Sequence, residues 1–230
     1  MERKTTELGF LNCRLLGARH LCFIGNAPAN QTGAQGLIIS ESLQFIYIAV
    51  PKTGSSSMEA AFKEYESERL SAGVKKHTPA KLLKAQLGDE FWNLSFKVAM
   101  VREPFDWMYS WYRFRQRDAL KDPAHKFHHR YTGNISFDEF VQTFNKNEFM
   151  LLQSDFICDE QGEVMMDFVG RVESLQSDFD YLCSRLGVAS ITLPQLNVSG
   201  QAHSQIDSLS TLSKERIKRI FKRDFELFGY

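Results

Sequence analysis

Two short runs of the chain are apolar at nearly every position, and the segments around them are apolar at every third or fourth. Phe45-Ile-Tyr-Ile-Ala-Val50 and Phe96-Lys-Val-Ala-Met-Val101 read as buried strands, because a strand covered on both faces has no polar alternation. Met58, Ala61, Phe62 and Tyr65 fall at helical spacing after the first run. A helical segment from Pro104 through Tyr112 follows the second, with proline at its first turn. Thr78 as cap, Pro79 as first residue and Gly88 as stop predict another short helix. Ser136-Phe-Asp-Glu139 is a capping box, and Phe137, Phe140, Val141 and Phe144 stripe the helix it opens. Leu175, Phe179, Leu182 and Leu186 stripe a helix that Gly187 ends, and Ile217, Ile220, Phe221 and Phe225 mark a C-terminal one. Residues 155–172 suggest a hairpin around Asp159-Glu-Gln-Gly162 and then a strand, and residues 190–212 a loop rich in Ser, Asn and Gln. No repeat, heptad or low-complexity tract interrupts this alternation. Strands joined by helices predict an α/β fold: a P-loop-like, mainly parallel, doubly wound sheet flanked by helices.

Composition narrows the class. A chain of 230 residues with 43% hydrophobic and 24% charged positions can bury one sizeable core. The aromatic load, 19 Phe, 7 Tyr and 3 Trp, belongs mostly to that core, since many fall at helical spacing. The 28 basic and 28 acidic residues balance to zero, which argues against a general nucleic-acid binder. No run of 18 apolar residues is present, so no membrane span is expected. Acidic Glu2 and Glu7 among the early basic residues, with no apolar stretch behind them, do not make a secretory pattern. Cys13, Cys22, Cys158 and Cys183 are scattered without a C-x-x-C, which predicts reduced thiols, no disulfide and no zinc.

The candidate chemistry starts where the first strand stops. Pro51-Lys-Thr-Gly-Ser-Ser-Ser57 carries a cation, several hydroxyls and a helix N-terminus, where amides lack partners and the helix dipole favours negative charge. A Walker A loop places lysine after its second glycine; here Lys52 precedes Gly54, so its ammonium reaches across an anion from the start of the turn. A serine is expected to cap the helix that follows; the alternative to the anion loop is a capped strand–helix junction with an incidental lysine. The second strand ends in Arg102-Glu-Pro104, and Ser110 lies two turns into the next helix. Ligands of open α/β sheets bind at the carboxyl ends of strands. A kinase or GTPase would put a magnesium-binding carboxylate there; an arginine fork suits a phosphate directly. The alternative for Arg102 is a pairing with Glu103 or a surface carboxylate.

These two motifs together resemble those of the sulfotransferases that use 3′-phosphoadenosine 5′-phosphosulfate (PAPS), and most closely their carbohydrate-sulfotransferase-like branch. Asp167-Phe-Val-Gly-Arg-Val-Glu-Ser-Leu175, Leu193-Pro-Gln-Leu-Asn-Val-Ser199 and Arg223-Asp-Phe-Glu-Leu-Phe-Gly-Tyr230 add to the likeness, which runs from about Gly36 to the C-terminus. The Lys-Gly and Gly-Asp-Trp-Lys pattern of the phenol and steroid type is absent. The resemblance implies a single sulfotransferase domain over 36–230, preceded by an N-terminal extension over 1–35. It implies that Lys52, Thr53, Gly54, Ser55, Ser56 and Ser57 hold the 5′-phosphosulfate. Arg102 and Ser110 would hold the 3′-phosphate, with Ser199 and Gly200 also on the nucleotide. The co-substrate would be PAPS, the product 3′,5′-ADP, with no metal. Animal Golgi relatives carry a membrane anchor; a chain beginning at Met1 without one is expected to be a cytoplasmic enzyme of bacterial type, the alternative being an anchor lost from a longer chain.

Sulfuryl transfer moves SO3 in line from a phosphosulfate anhydride to a nucleophile, so the protein's work is positioning and electrostatic stabilisation. Lys52 is placed to meet the charge on the leaving oxygen. The acceptor must also lose a proton, and His77 is the first candidate base, since the resembling family often has a histidine there. Glu59 is second; His125, His128 and His129 are third. Each has a plainer alternative: a solvated helix start, a favourable dipole contact, a solvated basic face. Residues 113–130 form the most basic stretch, expected as the far end of the helix after Pro104 plus a loop. One such cluster on a neutral chain suggests a neutral saccharide or small hydroxylated metabolite as acceptor, with an amine open. Two other activities stay in view, an ATP-dependent small-molecule kinase and a catalytically silent nucleotide-binding or scaffold protein. Oligomeric state has no signature in the sequence.

Overall fold

A computed structural model describes residues 38–144, 152–194 and 202–230. The expected extension over 1–35, with Cys13 and Cys22, and the expected nucleotide residues Ser199 and Gly200 lie outside the described residues. Strands β1 (Ile38–Ser40), β2 (Phe45–Ile48), β3 (Phe96–Val101) and β4 (Phe168–Arg171) form one sheet in the order β1-β2-β3-β4. β1 runs antiparallel to β2, and β2–β3 and β3–β4 are parallel, so the sheet is mainly parallel as expected.

Helices α1 (Ser55–Phe62), α2 (Glu68–Ser71), α3 (Ala80–Leu87) and α4 (Asp89–Leu94) connect β2 to β3. α5 (Pro104–Phe114), α6 (Phe137–Thr143) and α7 (Gln153–Ile157) lie between β3 and β4, and α8 (Leu175–Leu186), α9 (Ala202–Asp207), α10 (Thr211–Ile220) and α11 (Lys222–Phe228) follow. The pleat divides the sheet between two cores. Ile46, Ile48, Val50, Ala99 and Val101 pack with Leu83, Trp92 and Ile157 on one face. Phe45, Tyr47, Ala49, Val98 and Met100 pack with Met58, Phe62, Phe179 and Leu182 on the other. A third, aromatic core joins α5, α6 and α10 through Trp107, Phe137, Phe140, Ile217 and Phe221.

Several local expectations change. No serine caps α1: the N-cap is Gly54 at φ 75, because the turn takes a left-handed step there that a side-chain cap does not need. Thr78 does not cap α3; its hydroxyl donates to Lys75 O at 2.8 Å, leaving extended Pro79 as the N-cap. α5 stops at Phe114 rather than running on, because Thr132 of the returning loop bonds the last turn, its hydroxyl to Tyr112 O at 2.8 Å and its amide to Arg115 O at 3.3 Å. The hairpin near Asp159 shrinks to a single bridge between Cys158 and Val164, since the Asp159 carboxylate takes up the turn's own amides from Gln161 and Glu163. Part of the loop expected over 190–212 is helical, namely α9. The C-terminal helix breaks at Phe221, whose ring turns in against Trp107 at 5.5 Å. The capping box at Ser136 and the glycine stops at Gly88 and Gly187 stand as expected, and Cys158 and Cys183 are free, buried thiols.

Candidate functional site

The turn between β2 and α1 is held from below. Trp107, fully buried on α5, donates its indole N–H to Pro51 O at 2.7 Å. Lys52 at φ 67 and Gly54 at φ 75 take left-handed backbone on either side of Thr53. Such alternation turns successive amides to one side, a concavity suited to an anion. A Cβ at Gly54 would come within 3.0 Å of Leu175 Cδ2, so this position resists any side chain on two grounds. The hydroxyls divide their work. Thr53 Oγ1 donates to Val50 O at 2.9 Å and Ser57 Oγ to Pro194 O at 2.7 Å. A hydroxyl has one proton, so these two brace the loop instead of donating outward. Ser55 and Ser56 occupy the first turn of α1, where amides have no earlier helical carbonyl to meet.

Removing the Trp107 brace has a defined cost. Trp107→Phe leaves the Pro51 carbonyl without its donor, which is expected to lower the unfolding free energy by about 1–3 kcal/mol. Urea titration measures this, and a midpoint unchanged from the parent protein would show the bond to be idle.

Three cations converge on the turn. The Lys52 ammonium lies 4.2 Å from the centroid of the Phe114 ring, and the Arg117 guanidinium 4.0 Å from the same ring. Burial, reinforced by Arg102 and then Arg117, pushes Lys52 down from its ordinary 10.5 to about 8. Arg102 follows the last residue of β3, mostly buried, with Asp106 one helical turn on at 4.0 Å. Burial lowers its pKa, and Asp106, Glu173 and Glu103 oppose that. Ser110 is buried on α5 among the aromatic residues of the third core. Like charges gathered in a desolvated place are unfavourable by themselves and become favourable around an anion.

A second group flanks the turn. His77 Nδ1 lies 2.6 Å from Ala49 O. A carbonyl only accepts, so Nδ1 carries the proton and the lone pair of the neutral ring is on Nε2. Burial, with help from Lys76 and Lys52, pushes His77 down to about 4, so it is neutral at pH 7. Glu59 pairs with Lys76 at 2.6 Å, yet burial outweighs that pairing and pushes its carboxyl up to about 7. The three other candidate histidines, His125, His128 and His129, make contacts of their own: His128 Nδ1 is 2.9 Å from Leu120 O, His125 Nδ1 accepts from Phe127 N at 3.1 Å, and the His129 ring lies against Phe127. Among the described residues, no group of His, Cys, Asp and Glu is arranged to hold a metal ion.

The structure thus brings Arg102 and His77 each within electrostatic reach of Lys52. The sequence reading missed Trp107, Phe114, Arg117 and Leu175. Trp107 and Phe114 lie seven residues apart on α5, a same-face spacing that could have exposed them; Arg117 was hidden in the basic stretch.

Among the described residues no helix is long and apolar enough to cross a membrane. Comparison with curated proteins and with solved structures gives no match. The model of the Sulfotransferase family matches residues 35–230, a span that contains the loop after β2, the arginine after β3 and the whole described sheet. The chain therefore belongs to the sulfotransferase family, enzymes that transfer a sulfuryl group to an acceptor.

Proposed function

We propose that the chain transfers SO3 from PAPS to a hydroxyl of a saccharide or small metabolite, an amine being the other acceptor in keeping with the site. The S–O bond to the bridging oxygen of the anhydride breaks as the acceptor oxygen bonds to sulfur. The electron pair leaves on the 5′-phosphate of 3′,5′-ADP, and the acceptor proton goes to His77 Nε2. Lys52 meets the negative charge that grows on the bridging oxygen. The amides of Ser55 and Ser56, with the Ser56 hydroxyl, face the phosphosulfate oxygens, while the Ser55 hydroxyl is engaged by Glu59. Arg102, with Ser110 further along α5, receives the 3′-phosphate.

The observation that carries this reading is the mostly buried pair Lys52 and Arg102, with exposed Arg117 beside them, at a turn that takes left-handed backbone at Lys52 and Gly54. A nucleotide with two separate phosphate-bearing positions matches a lysine at one strand end and an arginine at the next. The end of β3 offers that arginine where a magnesium-dependent kinase would need a carboxylate.

Thermal shift with 3′,5′-ADP, 5′-ADP and magnesium-ATP tests the assignment. The expected result is a larger rise with 3′,5′-ADP than with either other nucleotide. Arg102→Ala should cancel that advantage, a loss of about 1.5–3 kcal/mol, the value of hydrogen bonds to a charged group. Equal shifts with 3′,5′-ADP and 5′-ADP in the parent protein would remove the 3′-phosphate from Arg102.

A further inference from the structure

Arg102 is the first residue beyond the sheet. The last pairing of β3 with β4 is Val101 with Arg171, and with β2 it is Ala99 with Ile48. The strand ladder therefore no longer fixes the peptide groups on either side of the Arg102 Cα. A side chain from a distant helix takes over. Gln153 Oε1 accepts from Arg102 N at 2.8 Å, and Gln153 Nε2 donates to Arg102 O at 2.8 Å. The carboxamide acts as one extra residue of strand, with an acceptor and a donor both used. Restraining both peptide groups restrains φ and ψ at Arg102, and these set the direction in which its side chain leaves the backbone.

Gln153 is itself held. Its amide donates to Asp224 Oδ2 at 3.0 Å, and the Ser154 amide donates to Asp224 Oδ1 at 3.0 Å. Gln153, Ser154 and Asp224 are each 0% exposed. Burial pushes the Asp224 carboxyl up, and the two amides act against that. A carboxylate at such depth is unfavourable unless its oxygens are bonded, and both oxygens here meet the first amides of α7. Leu152, at the N-cap of α7, has an apolar side chain, so the cap comes from α11 across the fold. The result is a buried line from Asp224 through Gln153 to the arginine backbone.

We infer that Gln153 and, through it, Asp224 are positioning residues that aim the Arg102 guanidinium and so set the preference for a nucleotide bearing a 3′-phosphate. This rests on the assignment of Arg102 to that phosphate. Neither residue touches the nucleotide in this scheme. A loss of aim therefore affects the part of the affinity that depends on the 3′-phosphate and spares the part that depends on the loop after β2.

The test is calorimetric titration of the full chain with 3′,5′-ADP and 5′-ADP. The parent protein is measured first; if it binds both equally, the 3′-phosphate assignment fails and the positioning role fails with it. Given a preference, Gln153→Ala is expected to reduce it about tenfold while leaving 5′-ADP affinity within about twofold. Asp224→Asn, which keeps one acceptor oxygen, should give a smaller loss in the same direction. Gln153→Glu supplies a readout that general loosening would not produce. Its ionised carboxylate cannot donate to Arg102 O, whereas its protonated form can. The preference, referred to the parent protein at the same pH, should recover as the pH falls and that carboxyl takes up a proton. A Gln153→Ala protein with undiminished preference overturns the inference. So does a Gln153→Glu protein whose relative preference ignores pH, and this second variant decides alone should the first fail to fold.

Discussion

Lys52→Met is expected to lower kcat by about 10²–10³-fold, the loss typical when a preorganised donor to a developing oxyanion is removed. The same substitution should leave the free protein at least as stable at pH 7, and the sign follows from the ionisation of Lys52. Its folded pKa, about 8, lies below its ordinary 10.5 because burial and two neighbouring guanidinium groups disfavour the ammonium. Below about pH 8 the lysine is protonated folded or unfolded, and the fold carries the whole penalty, at most ~3 kcal/mol. The penalty fades as the pH rises toward 10.5, because the folded lysine has then already lost its proton. Methionine keeps the apolar stem beside Phe114 and removes the penalised charge. Stability and turnover should therefore move in opposite directions. Thermal melts at pH 7 beside steady-state rates measure both. A variant that loses stability and keeps its rate would show that Lys52 is a structural cation.

The rate should follow pH accordingly. With Lys52 as the proposed donor and His77 as the proposed base, turnover requires the first charged and the second neutral, so kcat/KM is expected to be flat between about 4 and about 8 and to fall above that. Bound nucleotide adds negative charge beside the ammonium, so the alkaline fall in kcat should lie higher than that in kcat/KM.

The parts of this site that were legible in the sequence are those the chain supplies within a few residues. Pro51 to Ser57 is a strand end, a turn and a helix start in one contiguous stretch, and Arg102 before Pro104 is another. Strand burial on both faces was equally legible, because continuous apolar runs leave no solvent face. What stayed hidden joins distant segments. The Trp107 bond to Pro51 spans 56 residues and the Gln153 clamp on Arg102 spans 51. Gln153 lies just before residues 155–172, the stretch that reads as hairpin and strand, and it becomes the start of a helix because buried Asp224 caps it from α11. The serine cap expected for α1 failed for a related reason. Serine caps need extended backbone, whereas the turn here takes left-handed backbone at Gly54 and uses its hydroxyls elsewhere. Propensity rules describe the commonest helix start, and a turn with left-handed backbone at Lys52 and Gly54 departs from it.

His77→Ala is expected to slow single-turnover transfer by about 10²–10⁴-fold without weakening 3′,5′-ADP, the range for removal of a general base. The geometry argues for this residue over its neighbour. Donating Nδ1–H to Ala49 O fixes one tautomer and leaves the lone pair on Nε2, and the Ala49 carbonyl is part of the strand exit that leads into the loop. The ring is therefore anchored to the same backbone that positions Lys52. Its low pKa, about 4, keeps it unprotonated and ready at neutral pH. That low value also makes it a weak base, so the acceptor hydroxyl must give up its proton late, as sulfur bonds to its oxygen. Glu59 is the competitor: its carboxyl, pushed up to about 7, would be the stronger proton acceptor. Yet Glu59 is bound to Lys76 at 2.6 Å, and a base committed to an ammonium has less of its charge to offer a substrate. The two candidates separate cleanly in experiment. If His77 is the base, Glu59→Gln should cost no more than about tenfold, through the loss of the Lys76 contact next to the histidine. If Glu59→Gln instead abolishes transfer while His77→Ala proceeds at nearly the parent rate, the proton goes to the carboxylate and His77 is a brace for the strand end.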